Sequence, residues 1–430
     1  MSNHSPTQLS ATLHNTWQSI TAEEWGRLFP ATADSPQMLA HNERSGFDGV
    51  SFFSLVVSQR DPNSHKLSPR ELPILYIPLF LTPFDVPRIF DPAIASKAQA
   101  VLKGLPNWVQ KWFYPTLLGV GFLECEWGEV GFDRTVSDDV LKEAWALAIQ
   151  ALDKFSQAMK VDLQIYSHFN PLSSQALIPE ALQGYCVMDS PPIAMLSMLG
   201  LSSLDEYFET LSYARRKNIR RKLKAAKEIR VEWTTDPTPW IADIYSLYLT
   251  SRDAGEAMFT PHREDFFARI CQEVPGARYA LYFKGDRLLA FNLLVHYRDR
   301  LVDKFFCKHP QEAAPFNLYF VSWVENIRHC IEHQIPLYYA GSWLEAVKEK
   351  LGARFLPSYV AFHHRHPFLN WLFPLIQKFL TYQPQVSLPQ YRLGYPIQAV
   401  QDPQLLSSLT LLAPGLSAPE SVPPNLSVIP

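Results

Sequence analysis

Eight cations are concentrated near the middle of this 430-residue chain, in the run LDEYFETLSYARRKNIRRKLKAAKE that starts at Leu204. They are Arg215, Arg216, Lys217, Arg220, Arg221, Lys222, Lys224 and Lys227. Ser203 and Glu206 have the S-x-x-E spacing of a capping box, which predicts that a helix begins here and continues to Glu228. Clustered guanidinium groups suit phosphate oxygens. Arg215, Arg216 and Arg220 are therefore candidates for binding the phosphates of a nucleotide, coenzyme A or RNA, and a solvated helix face is the alternative.

Polar residues also interrupt a predicted three-stranded meander over 278–308. Strand alternation places Asn292 and His296 on one face of the second strand. His296 is a candidate catalytic base, with a hydrogen-bonded structural histidine as the alternative. Asp303 and Lys304 interrupt the third strand, and they are either part of a site or a structural ion pair.

The helix predicted after the meander, 317–334, opens with Asn317 and Tyr319. Tyr319 is a candidate catalytic acid, and Asn317 is a candidate ligand-binding residue or a helix cap. No Ser-His-Asp or Cys-His arrangement follows from the spacing, so no covalent intermediate is expected.

The elements that must position these residues alternate between helices and strands. A helix–strand–helix–strand order occurs at 138–198 and again at 317–363, which predicts two copies of one α/β unit. The predicted organisation is a disordered segment 1–14, a first domain 15–200, a second domain 201–365 and a C-terminal region 366–430. A short helix is also predicted around 93–102. In the C-terminal region, the run FLNWLFPLIQKFLTY either packs on the second domain or contacts a membrane surface, and a Pro/Ser-rich tail follows it.

Composition excludes several classes of protein. The net charge of −3 argues against general DNA binding and leaves room for a local basic groove. The five scattered cysteines have no zinc spacing, so no metal is expected, and reduced cytoplasmic thiols are the simplest interpretation. The N-terminus lacks the pattern of a secretory signal, and no apolar run is long enough to span a bilayer.

The basic run, the meander, the helix NLYFVSWVENIRHCIEHQ and the closing LYYAGSWLEAVKEKLGARFLPSYV together resemble the Fem-like branch of the GNAT acyltransferase superfamily. Members of this branch are often called bacterial peptidoglycan biosynthesis or recognition proteins. Lys348 and Gly352 resemble the family's K-x-x-x-G pattern, which adds Lys348 to the catalytic candidates. The resemblance covers roughly residues 15–365.

The resemblance implies an α/β fold of two tandem GNAT domains, with mixed sheets flanked by helices, and an N-acyltransferase. The expected substrates are acyl-CoA, as a co-substrate rather than a bound cofactor, and a small amine. The stretch KHPQEAAPFN lacks the glycines of the usual coenzyme A pyrophosphate loop. An aminoacyl-tRNA donor used in cell-wall peptide synthesis is therefore the alternative, and a non-catalytic module that binds anions or RNA is a third reading. The expected location is the cytoplasm or the inner face of the membrane.

Overall fold

The computed structural model describes residues 9–30, 32, 34–60, 71–85, 103–104, 106, 113–171, 173, 177–253, 261–380, 382, 384–386 and 388, with the backbone alone at 376–380. The helix predicted around 93–102 and most of the C-terminal tail lie outside these residues.

Thirteen strands form one mixed sheet in the described part of the chain. The strands of the first half are β1 Leu9–His14, β2 Ser51–Arg60, β3 Glu71–Pro83, β4 Thr116–Val120, β5 Gly131–Phe132, β6 Leu163–Phe169 and β7 Cys186–Ser197. Those of the second half are β8 Ile229–Thr234, β9 Ala277–Lys284, β10 Arg287–Tyr297, β11 Arg300–Lys308, β12 Leu337–Tyr339 and β13 Arg354–His364.

Ten α-helices cover this sheet among the described residues. They are α1 Ala22–Leu28, α2 Pro36–Ser45, α3 Asp138–Ala158, α4 Leu204–Glu209, α5 Tyr213–Ala225, α6 Ile241–Asp253, α7 Glu264–Glu273, α8 Leu318–Glu332, α9 Glu345–Lys350 and α10 Pro367–Leu380. Short 3-10 turns lie at Pro179–Leu182, Thr238–Trp240 and Ala314–Phe316. The predicted α/β architecture is present, and so is the repeated order of elements, except that the second helix of the first copy is only the 3-10 turn Pro179–Leu182. Helix α10 packs on β13 through Phe373 and Phe362, and none of the helices in the described residues is long and apolar enough to cross a membrane.

The two halves exchange their last strands. The sheet order is β1-β2-β3-β4-β6-β13-β7-β12-β11-β10-β9-β8, so β13 pairs with β6 of the first half and β7 pairs with β12 of the second. At the centre β7 and β13 pair with each other, and the Ser190 and Ser358 hydroxyls share a buried hydrogen bond of 2.9 Å. The backbone hydrogen bonds of the ladder therefore run without a break from one half to the other.

Each half contains one pair of parallel strands that separates after a few residues. In the second half only Arg300–Val302 of β11 pair with Leu337–Tyr339 of β12, although β11 continues to Lys308. In the first half Leu117–Val120 of β4 pair with Leu163–Tyr166 of β6 before those strands diverge. A gap in a sheet leaves strand edges without ladder partners, so these openings can receive a ligand.

Two sequence predictions need correction here. Residues 9–14 are not disordered, because they pair with β2 as the edge strand of the sheet. The helix predicted from Leu204 to Glu228 is two helices, α4 and α5. Ser203 caps α4 as predicted, but the Glu206 carboxylate accepts from Ser202 instead of closing the box on Ser203.

The break between α4 and α5 follows from the second cap in the run. Ser212 accepts a hydrogen bond from the Arg215 backbone N–H and starts α5 afresh. A hydroxyl that satisfies an orphan donor at this position favours a new helix start over continuation of the first helix.

Candidate active site

A cavity of about 690 Å³ lies at the opening between β11 and β12, and both halves of the chain line it. The second half contributes the β11 edge, with Asp303, Lys304, Phe306 and Lys308, together with Tyr319, Lys348 and the segment 340–344. The first half contributes Phe80, the loop residues Phe122, Leu123, Glu124, Cys125, Glu126 and Gly128, and Ser167 and His168 at the end of β6. Separation of the two parallel strands therefore creates the cavity.

A buried ion-pair chain crosses the cavity wall between the halves. The Lys304 ammonium lies 2.5 Å from an Asp34 carboxylate oxygen and 3.1 Å from one of Glu126. Asp34 also accepts a hydrogen bond of 3.0 Å from the Glu126 backbone N–H. The predicted partner of Lys304 was its neighbour Asp303. The structure instead pairs it with two carboxylates that are distant in sequence.

Glu126 has the ionisation expected of a general base near neutral pH. Burial raises the pKa of Glu126 to about 7, and the negative charge of Asp34 adds to the effect of burial. Attraction to Lys304 opposes the rise and does not cancel it, since the desolvation cost of a buried carboxylate is large. A carboxylate that titrates near pH 7 inside a cavity can accept a proton from an amine.

Asp303 faces the same cavity and is tied into a polar network. Its carboxylate accepts hydrogen bonds from the Tyr338 hydroxyl at 2.8 Å and from the Asn292 amide at 2.9 Å. The Asn326 amide lies 3.4 Å away. Burial raises the pKa of Asp303 to about 6. Three donors fix the position of this carboxylate, which suits it to orient other groups.

Asn292 is the polar strand residue that belongs to this network. It is fully buried, and its carbonyl oxygen also accepts from the Tyr282 hydroxyl at 3.0 Å and the Ser322 hydroxyl at 2.5 Å. Its position on β10 was singled out from strand alternation, and the structure connects it to Asp303.

The Lys348 side chain binds the backbone of the turn that follows β12. Its ammonium donates to the carbonyl oxygens of Ala340 at 2.7 Å, Gly341 at 3.0 Å and Ser342 at 2.7 Å. Burial lowers the pKa of Lys348 to about 8, while Asp303 and Glu126 act in the opposite direction. Because all three protons have acceptors, Lys348 holds the turn that bounds the opening.

Gly341 marks where the two walls approach each other. A Cβ built on this residue would lie 3.9 Å from both the Asp303 carbonyl oxygen and a Glu126 carboxylate oxygen. Its φ of +67° is also a conformation that glycine adopts without strain. Gly341 therefore lies between β11 and Glu126, close to both walls of the cavity.

The predicted residues at the start of α8 separate in the structure. Tyr319 lines the cavity, and burial raises the pKa of its hydroxyl, which stays protonated at neutral pH. Asn317 does not line the cavity and does not cap α8. It has a left-handed φ of 51°, and its amide donates to the Pro315 carbonyl at 3.4 Å. The prediction that Asn317 binds the donor has no support in this arrangement.

His296 is not part of the cavity, which corrects its prediction as a catalytic residue. Its ring Nε2–H donates to the Arg298 carbonyl, 3.0 Å away, beside the turn that joins β10 to β11. Strand alternation put Asn292 and His296 on one face. However, the cavity opens beyond Val302 of β11, and His296 pairs with Leu301 on the closed side of that point.

The basic helix α5 divides its arginines between two roles. The Arg216 guanidinium donates to the carbonyls of Leu211 at 2.6 Å and Phe208 at 3.4 Å, so it caps the end of α4. The Arg220 guanidinium lies 5.8 Å from the Phe208 ring centre. Both side chains contact α4 and neither lines the cavity or the groove beside α5, so a phosphate site on Arg216 and Arg220 stays a prediction.

Arg215 instead lines a groove of about 530 Å³ between α5, α8 and α9. The cations of this groove are Arg215, Lys222 and Lys350. The Lys222 ammonium lies 3.2 Å from the centre of the Phe320 ring, and burial lowers the pKa of Lys222, with its cationic neighbours adding to the effect. The groove lining has three cations and no carboxylate, so its charge is positive and complementary to an anion.

Several backbone N–H groups of the loop between β11 and α8 donate hydrogen bonds to other atoms of the same loop. The Ala313 and Phe316 N–H groups donate to the carbonyls of His309 and Ala313 at 3.2 Å each, and Ala314 donates to Gln311 at 3.3 Å. The Glu312 N–H donates to the His309 ring at 3.2 Å. A pyrophosphate grip needs such groups free, so this turn does not offer the usual one.

Sequence reasoning missed the first-half residues of the site, above all Asp34, Glu126 and His168. No motif surrounds them. A partial signal is Gly128, where a Cβ would come within 1.9 Å of the Ser167 carbonyl oxygen, so the loop lies directly against β6. His168 has a left-handed φ of 59°, and its ring hydrogen-bonds the Ser167 hydroxyl at 2.5 Å. Backbone strain of this kind is concentrated at functional sites.

Residues 214–342 match the family model described as Acetyltransferase (GNAT) domain. This segment of the second half is therefore a GNAT domain. The match confirms the predicted fold class and the prediction of an acyltransferase. It covers α5 to the end of the β12 opening, and so it includes Asp303, Lys304 and Tyr319.

Several solved structures are similar to this chain at low identity, whereas no curated protein matches its sequence. FemX is 11% identical with a TM-score of 0.47, over 83% of this chain and 98% of that one. A tandem GNAT protein from the clavulanic acid biosynthesis pathway gives the same four values. L-PGS from Bacillus licheniformis is 12% identical with a TM-score of 0.42, over 62% of this chain and 83% of that one.

Proposed function

We propose that this GNAT protein is an N-acyltransferase that joins an acyl group to an amine inside the cavity between β11 and β12. The observation that carries the proposal is the position of Glu126, a carboxylate with a pKa of about 7, across the opening from the edge of β11. A base and unpaired strand amides on opposite walls of one cavity are what amine acylation requires.

The reaction balances with groups already present in the cavity. Glu126 takes a proton from the acceptor's ammonium group, and the neutral amine attacks the donor's carbonyl carbon. Backbone N–H groups at the β11 edge and the Lys304 ammonium stabilise the negative charge that develops on the carbonyl oxygen. The C–N bond forms, the donor's C–S or C–O bond breaks, and the protonated Tyr319 hydroxyl supplies a proton to the leaving group. The Tyr319 oxygen then takes the second proton from the newly bonded nitrogen, which leaves a neutral amide and restores the hydroxyl.

Acyl-CoA is the first candidate donor, because the groove lined by Arg215, Lys222 and Lys350 offers cations to a phosphate-bearing molecule. Asp303 and Lys348 contribute by position: Asp303 fixes the polar network at the cavity, and Lys348 holds the end of β12.

An aminoacyl-tRNA is the second candidate donor, and a specific observation favours it. The loop that binds the coenzyme A pyrophosphate elsewhere in the superfamily lacks glycine here, and its N–H groups are engaged in local turns. A polynucleotide could instead use the surface cations of α5. Amine acylation is the same chemistry with either donor, since only the leaving group differs.

The donor is tested by offering each candidate to the protein separately. Purified protein is incubated with an amine panel and either acyl-CoA thioesters, read by release of free thiol, or charged tRNA, read by transfer of labelled amino acid. Turnover with either donor that is lost in Glu126→Gln supports the proposal. Equal turnover by the variant excludes Glu126 as the base. Salt-sensitive binding of RNA with no transfer from any donor would favour the non-catalytic reading.

A further inference from the structure

The two halves of the chain have the same backbone conformation at one matched position. In the second half the parallel pairing of β12 with β11 ends at Tyr339, and two residues later Gly341 has a φ of +67°. In the first half the parallel pairing of β6 with β4 ends at Tyr166, and two residues later His168 has a φ of +59°. Both openings between parallel strands therefore contribute a left-handed residue to one cavity.

Only one of these two residues suits the left-handed conformation. Glycine adopts a positive φ without strain, whereas the Cβ of other residues makes this region unfavourable. Contacts within the protein do not explain a side chain at position 168. Among the described residues the His168 ring hydrogen-bonds only the hydroxyl of its neighbour Ser167, 2.5 Å from Nδ1. Such a local contact joins no distant elements, so the reason for the histidine lies in the cavity.

The second ring nitrogen of His168 is available to a ligand. Nε2 has no hydrogen-bond partner among the described residues, and it is not shielded from solvent as both ring nitrogens of His262 are. The side chain is half-buried and lines the cavity. An accessible polar atom at the wall of a cavity can form a hydrogen bond with a bound molecule.

The surroundings of His168 select an uncharged group. Burial lowers the pKa of His168, so the ring is neutral at neutral pH, and among the described residues no charge contributes to this shift. The ring therefore lies apart from the carboxylate of Glu126, although both line the same cavity. A charged group brought to the neutral ring would lose water without gaining a counter-ion, whereas an amide or a hydroxyl would gain a hydrogen bond.

We propose that His168 determines acceptor specificity, by forming a hydrogen bond from Nε2 to an uncharged polar group, an amide or a hydroxyl, of the amine acceptor. The inference rests on the proposed function, in which Glu126 takes the proton of the amine. The acceptor then spans the cavity: its amine lies at Glu126, and its polar group lies at the opening between β4 and β6. The opening between β11 and β12 is left for the carbonyl of the donor.

The test is acceptor binding without a donor, measured by isothermal titration calorimetry. The ligands are ω-amino amides of increasing chain length, each paired with the isosteric alkylamine in which an isopropyl group replaces the amide. The wild type should bind the best amide about tenfold more tightly than its isostere, as expected for one additional hydrogen bond. His168→Gly should lose this difference. Glu126→Gln should abolish transfer and keep the difference, so failure of the proposed reaction and failure of this inference are distinguishable.

Thermal unfolding of the variants separates a binding role from a structural one. His168→Gly should unfold at the same temperature as the wild type or a higher one, because glycine relieves the positive φ. His168→Asn should keep part of the preference for the amide, since asparagine tolerates this conformation and can form a hydrogen bond. Lys160→Gly is the matched control: Lys160 has a φ of 54°, is exposed and does not line the cavity, so both amines should bind as in the wild type.

Four outcomes would overturn the proposal. The wild type may bind an amide no better than its isostere, or it may bind the corresponding ω-amino acid more tightly than the amide. His168→Gly may keep the preference for the amide. Finally, His168→Gly may unfold at a lower temperature and bind both amines equally weakly, which would make the histidine a structural residue.

Discussion

At the scale of single residues, burial decides which carboxylates can act as bases. Glu126 and Glu129 are three residues apart, and burial raises the pKa of each to about 7. Only Glu126 lines the cavity, whereas the Glu129 carboxylate accepts from the Trp127 indole N–H at 3.1 Å. The two residues have similar acidity and different access to substrate, so they form a matched pair.

Glu126→Gln should lower kcat/KM by about 10²- to 10⁴-fold, as expected for loss of a general base. In the wild type, kcat/KM should rise with pH up to about pH 7 and then level off, because the base acts in its deprotonated form. The measurement is the pH profile of kcat/KM. Glu129→Gln should keep this profile, and a profile abolished by Glu129→Gln but not by Glu126→Gln would contradict the assignment.

His262 gives a residue-scale prediction about stability. Its ring is stacked on Phe266 at 4.1 Å, neither ring nitrogen has a hydrogen-bond partner among the described residues, and burial lowers the pKa of His262 to about 3. The unfolded chain binds this proton near pH 6.5, so the stability due to neutral His262 is present above pH 6.5 and is lost as the pH falls towards 3. Between pH 6.5 and pH 4 the expected loss is about 3 kcal/mol.

His262→Phe should remove this loss, since phenylalanine cannot be protonated and fits an aromatic environment. Urea unfolding at pH 7 and pH 4 measures it. The variant should be as stable as the wild type at pH 7 and more stable at pH 4. An unchanged pH dependence would mean that His262 is not the group responsible.

At the scale of elements, the break between α4 and α5 gives the neighbouring residues Arg215 and Arg216 different surroundings. Arg216→Ala should lower the free energy of unfolding by about 1–2 kcal/mol, because the carbonyls at the end of α4 lose a charged donor. It should leave donor affinity unchanged. Chemical denaturation and donor titration measure the two effects separately.

Arg215→Ala should show the reverse pattern, with stability retained and donor affinity reduced by about tenfold through loss of one phosphate contact in the groove. Lys217→Ala is a control of equal charge, because Lys217 is exposed and outside the groove lining. Equal weakening by Arg215→Ala and Lys217→Ala would indicate general attraction to α5 instead of a defined site.

At the scale of the whole molecule, exchange of β7 and β13 couples the two halves. Neither half completes its part of the sheet without a strand from the other. We therefore expect one cooperative thermal transition, with equal calorimetric and van't Hoff enthalpies. Two separated transitions in a calorimetric scan would show that the halves unfold independently despite the shared sheet.

The sequence alone determined the elements with strong local signals. The cap at Ser203 and the meander were both readable, because caps and periodic apolar residues depend on near neighbours in the chain. The same local patterns gave the two-fold order of elements and the resemblance to the GNAT superfamily. They also identified Asp303 and Tyr319, and the resemblance added Lys348; the structure brings all three to one cavity.

Only the tertiary structure decided how the halves join and which residues meet. Asp34 and Glu126 reach Lys304 across 270 and 178 positions of sequence, and no local pattern carries information about such a contact. His296 was placed at the site by strand alternation, which fixes the face of a strand but not the point along it where a neighbour departs. Arg216 looked like a phosphate ligand because its charge is visible in the sequence, whereas the carbonyls that it caps become available only when the run breaks into two helices.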